Sequence, residues 1–197
     1  MPIQVFVADE QDARPVESDR LAQLARAVLA DRGLGVDSRA ELNVLLVDEE
    51  TIAEMNERFL GHTGPTDVLS FPIEDEVLGA PPPPGLPRGA PGPGRPPAGG
   101  AGLGAGPGAG PRDDDGALLA PRDEMPLLVG DVVICPEVAF RNAPDHAGSY
   151  DGELALLLVH GILHLLGMDH EGDHDAEEME ALERELLARY HAPRAAS

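Results

Sequence analysis

From Leu154 to Leu166 the chain is almost unbroken in apolar residues, and its two clear interruptions are His160 and His164. Asp151 and Glu153 stand ahead of this run, where acidic side chains favour a helix N-terminus. Gly167 follows it, and glycine accepts the left-handed turn with which helices commonly end. The segment from about Ser149 to Leu166 is therefore expected to form a buried helix.

Residues four apart on a helix lie one above the other, so His160 and His164 can point at one atom. Gly167 then turns the chain, and three residues later His170 can return as a third nitrogen donor. Three neutral imidazoles suit zinc, and three protein ligands leave the fourth tetrahedral position open for chemistry. Ordinary core histidines explain the pattern less well, because two bare imidazoles facing an apolar interior need polar partners. The expected centre is one Zn2+ per chain, with Asp169 orienting a histidine by hydrogen bonding. The spacing also fits the metzincin peptidase pattern H-E-x-x-H-x-x-G-x-x-H, except that Gly161 stands where the general-base glutamate belongs. Peptidase chemistry loses its proton acceptor.

The rest of the chain reads as scaffold. Ile3–Val7 is expected as a first strand, followed by a helix from Ser18, its expected N-cap, to Gly33, with Leu21, Leu24, Ala25, Val28 and Leu29 on one face. A strand at Leu42–Val47 leads to a helix capped by Asp48, which carries Ile52, Met55 and Phe59 and ends near Gly61. Gly64–Pro72 is a turn running into a short strand. Leu127–Ile134 is another strand, and Pro136 opens a further helix or turn. A C-terminal amphipathic helix carries Met179, Leu182, Leu186, Leu187 and Tyr190, its opposite face being acidic and solvated.

Between Gly79 and Arg112, glycine and proline fill 23 of 34 positions. Such a stretch buries too little apolar surface to offset its ordering entropy. Residues 74–126 are accordingly expected to be a disordered insertion within a single domain spanning 1–197. A flexible Gly-rich chain of that length spans roughly 35 Å end to end, enough to join two neighbouring strands.

The single cysteine, Cys135, excludes an intramolecular disulfide and fits a reducing compartment. No signal peptide and no membrane-length apolar run is evident, so a cytoplasmic protein with no membrane partner is expected. The net charge of −22, with arginine but no lysine, denies the chain the bulk basic footprint of a nucleic-acid binder.

Three segments nevertheless resemble the YbeY family, the bacterial metal-dependent endoribonucleases of ribosomal RNA maturation. They are His160-Gly161-x-Leu163-His164-Leu165-x-Gly167-x-Asp169-His170, Pro65-Thr66-Asp67-Val68-Leu69-Ser70-Phe71-Pro72, and Gly130-Asp131-Val-Val-Ile134. Tyr150-Asp151, Met179 and Glu183 match as well. The resemblance implies a zincin-like α+β fold, a mixed sheet of about four strands with about five helices and the zinc-bearing helix buried. It implies a zinc-dependent, single-strand-specific endoribonuclease working in 16S rRNA 3′-end processing and ribosome quality control. The implied partners are ribosomal RNA, a small-subunit ribosomal protein and a ribosome-assembly GTPase. The metal role carries over to His160, His164 and His170. Many family members have an arginine where this chain has Leu60; Arg58, two residues earlier, is the candidate catalytic residue in its place. Asp67 and Asp131 read as structural acids. A non-catalytic assembly factor with structural zinc is the competing reading, and a zinc hydrolase of another substrate a third.

Overall fold

The computed structural model describes residues 3–35, 39–73, 126–168 and 173–191. They belong to one compact unit built from 1–74 and 123–197. Most of the expected insertion, 74–125, lies outside the described residues.

Four strands form one mixed sheet: β1 (Ile3–Asp9), β2 (Ala40–Leu46), β3 (Val68–Pro72) and β4 (Leu127–Ile134), in the order β1-β2-β4-β3. β1, β2 and β4 run parallel, and β3 pairs antiparallel with β4 at the edge. Among the described residues five helices accompany the sheet: α1 (Ser18–Asp31), α2 (Glu49–Leu60), α3 (Pro136–Asn142), α4 (Tyr150–Leu165) and α5 (Asp173–Tyr190). The described residues are thus α+β, with the numbers of strands and helices that the resemblance implies. Among the described residues no helix is long and apolar enough to cross a membrane.

Alternation along the strands divides the core in two. Val5, Leu42, Val44, Leu46, Val132 and Ile134 point to one face and are buried with apolar side chains of α1 and α4. Leu45, Leu69, Phe71 and Val133 point to the other, where Ile52 and Met55 of α2 and Val138 of α3 meet them. The edge strand β3 therefore stands between α4 and α2.

Local chemistry sets the helix ends. Asp48 accepts the Thr51 amide at 2.8 Å to start α2, and Gly61 closes that helix with φ +71°. Ser149 accepts the Gly152 amide at 3.1 Å to start α4, and Gly167 turns the chain beyond it with φ +84°. α1 departs from expectation: its N-cap is Glu17, one residue before Ser18, and makes no side-chain capping bond. Packing of Leu21, Leu24, Val28 and Leu29 holds that helix instead.

Candidate functional site

α4 is seated on the sheet through a glycine. A Cβ on Gly161 would stand 2.7 Å from a methyl of Val132 and 3.0 Å from the Ser70 hydroxyl. That hydroxyl donates to the Gly161 carbonyl at 3.2 Å. Position 161 is therefore committed to contact with β3 and β4, and a glutamate there would push the helix off them. A second glycine completes the seat. Gly130 has φ +142°, and a Cβ on it would come within 2.5 Å of the Phe71 carbonyl and 2.8 Å of Leu165.

One histidine of α4, His160, meets α5. Nδ1 of His160 lies 2.7 Å from Oε1 of Glu183, which is buried. An ionised carboxylate only accepts, so a neutral imidazole bonded to it has its hydrogen on Nδ1 and its lone pair on Nε2. That Nε2 is 3.1 Å from Nε2 of His164, the rings standing nearly perpendicular with centroids 4.6 Å apart. Both rings are partly exposed. Among the described residues no set of three metal-binding side chains comes together. His170 and Asp169, the other two residues expected here, lie outside the described residues.

Glu183 is the residue whose role the sequence reading missed. Its neighbours Glu180 and Glu185 are exposed, as the solvated-face reading of α5 requires, but Glu183 is not. The signal was its place on the apolar stripe, four residues after Met179 and three before Leu186. An acid on a buried stripe needs a partner.

A second buried acid sits at the other end of α4. Glu153 is fully buried and accepts from Nδ1 of His146 at 3.0 Å and from the Ala147 amide at 3.2 Å. This hydrogen bond, with the attraction of the carboxylate, raises the pKa of His146. The pair ties the α3–α4 loop to the helix start.

Asp67 accepts the Val68 amide at 3.0 Å and the Asn142 side-chain amide at 3.2 Å, and Asp131 accepts from Asn43 at 2.8 Å. Both acids bond groups of the chain itself. Arg141 pairs with Glu49. Arg58, in the last turn of α2, makes no ion pair among the described residues; its guanidinium lies 5.3 Å from the Phe59 ring centre. Leu60 is exposed.

A profile of the family described as Endoribonuclease YbeY matches residues 6–191. The chain belongs to the YbeY family. Curated YbeY relatives, each named Endoribonuclease YbeY, include those of Thermobifida fusca, 39% identical over 93% of this chain and 92% of that protein, and Salinispora tropica, 37% identical over 96% and 98%. The relative from Frankia casuarinae is 38% identical over 93% of this chain and 73% of its own. A solution structure of TM1509 from Thermotoga maritima is a more distant likeness, at 21% identity and a TM-score of 0.47 over 96% of this chain and 91% of that one. The described parts of the YbeY segments quoted from the sequence include β3, most of β4 and the end of α4, which meet at Gly130 and Gly161.

Proposed function

We propose that this chain is a zinc-dependent, single-strand-specific endoribonuclease acting in 16S rRNA 3′-end processing and ribosome quality control in the cytoplasm. The observation that carries the reading is the convergence of His160 and His164, their Nε2 atoms 3.1 Å apart. Two nitrogens on one tetrahedral zinc, each bonded at about 2.0–2.1 Å, stand roughly 3.3 Å apart, so the donor pair fits the ion. His160, His164 and His170 hold the metal in this reading. When bound, zinc supplies Lewis-acid polarisation of a phosphoryl oxygen. Membership of a family whose relatives are named endoribonucleases supports RNA as the substrate.

The chain's own residues divide the work. Glu183 takes the Nδ1 hydrogen of His160, fixing the tautomer and aiming the Nε2 lone pair. Asp169 orients a neighbouring ligand. Arg58 holds an RNA phosphate, its planar fork matching two phosphate oxygens. The packing at Gly161 leaves no place for a peptidase's base. Ribosomal RNA, a small-subunit ribosomal protein and an assembly GTPase are the partners of this reading.

A binding role without catalysis is favoured by two features, Leu60 in place of the family arginine and the net charge of −22. One experiment separates the two. Purified protein, with and without chelator, and its His164→Ala variant are assayed on single-stranded and duplex RNA of one sequence. Cleavage of the single strand that both chelator and substitution abolish is expected. Cleavage indifferent to both removes zinc from the mechanism, and none by the zinc-loaded wild type leaves the assembly role.

A further inference from the structure

Phe59 is an aromatic ring that the fold leaves 47% exposed at the end of α2. It is nonetheless firmly placed. Phe71 of β3 meets it edge to face, with ring centres 5.0 Å apart. Just beyond, the buried Asn56 donates to the Gly64 carbonyl at 2.9 Å, pinning the turn that follows the helix. A ring held by its neighbours but open to solvent offers stacking area at little further entropic cost.

The arginine beside it distinguishes this ring from the others. Three arginines lie near aromatic rings: Arg14 near Phe140, Arg189 near Tyr190 and Arg58 near Phe59. Arg14 is bound to Glu137, and Arg189 to Asp31 and Glu185. Arg58 has no carboxylate partner among the described residues, although Glu57 beside it is also exposed. In a chain of net charge −22, an unneutralised cation against an open ring suits a ligand that is both aromatic and anionic. A nucleotide is such a ligand, and single-stranded RNA binds by stacking bases on aromatic and arginine planes.

The position relates to the histidines through β3. Ser70 faces α4 and bonds the carbonyl next to His160, while Phe71, the following residue, faces α2 and carries Phe59. β3 is the edge strand, so a single strand of RNA passing round that edge runs from one side to the other.

We propose that Phe59, with Arg58 beside it, is a stacking platform for one base of a single-stranded RNA whose backbone also reaches the His160–His164 site. This rests on RNA being the substrate and adds the residue that grips it away from the reacting phosphate. The chain has no tryptophan, so Phe59→Trp introduces a sole indole reporter. Zinc-loaded wild type, Phe59→Ala, Phe59→Leu and Phe59→Trp are titrated with a 2′-O-methyl single-stranded oligonucleotide, which resists cleavage. Loss of one stacked base weakens binding roughly 5- to 100-fold in the alanine and leucine variants. Phe59→Trp is expected to bind like wild type, with its emission shifting on addition of the oligonucleotide. Wild-type affinity in Phe59→Ala, or an unmoved tryptophan signal on binding, overturns the platform alone. Failure of the wild type to bind any RNA overturns the platform and the RNA reading together.

Discussion

Two buried carboxylates, Glu183 of α5 and Glu153 of α4 itself, each pair with Nδ1 of a histidine, Glu183 with His160 and Glu153 with His146. Both pairs are close, at 2.7 and 3.0 Å, and both put an acid where an apolar side chain would otherwise pack. They differ in what the second nitrogen and second oxygen do. Glu153 gives its other oxygen to the Ala147 amide, so all of its bonding is spent on a loop. His160 instead presents Nε2 to a second imidazole, that of His164. A histidine paired with a buried carboxylate is thus a feature that the two ends of α4 share. The converging second imidazole is what distinguishes the pair between α4 and α5.

Substitution of the acids tests that division most strongly. Glu153→Ala removes the acceptor shared by the Ala147 amide and the His146 ring and empties a fully buried position, so it lowers stability. Urea unfolding is expected to show that loss while zinc content stays at the wild-type level. Glu183→Gln is expected to do the reverse, weakening zinc affinity about 10- to 100-fold with little change in the unfolding midpoint of the zinc-free protein. If both variants lose stability and metal alike, the two pairs are not functionally distinct.

A smaller effect sharpens the loop side. The bond to Glu153 raises the pKa of His146 above its ordinary value. Its stabilising contribution is therefore complete below the unfolded-state pKa, about 6.5, and lost as pH rises through the raised folded value. The stability gap between wild type and His146→Gln is expected to be larger on the acid side of that window than on the alkaline side. Unfolding curves that show the gap widening with pH contradict the pairing. The smallest effect belongs to Tyr150, whose buried hydroxyl has no hydrogen-bond partner among the described residues and whose pKa burial pushes up to about 12. Tyr150→Phe discards a group that gains nothing, so the thermal midpoint is expected to hold or rise.

The fold was legible wherever one physical signal acted locally. Helical periodicity marked α1 and α2, the unbroken apolar run marked α4, and Asp48, Ser149 and Gly61 set ends where capping chemistry said they should. The start of α1 lies one residue from the expected cap, at Glu17, where no capping bond forms and packing holds the helix. What escaped were the partnerships. His160 and Glu183 are 23 residues apart and on different helices, and no periodicity says which acid of an acidic helix turns inward. His146 and Glu153 are nearer, yet Glu153 reads equally well as an ordinary first-turn acid. Gly161 was legible as a departure from the peptidase pattern, while its cause, the close approach of Val132 and Ser70, needed the sheet in place.

The central claim is that the α4 imidazoles share one cation, and metal content tests it directly. Wild type, His160→Ala, His164→Ala and His170→Ala are purified, equilibrated with equimolar zinc and desalted, and zinc per chain is measured by mass spectrometry. One zinc in the wild type and a clear loss in each variant, with circular dichroism unchanged, is the predicted result. A zinc-free wild type, or variants that keep a full equivalent, contradicts it.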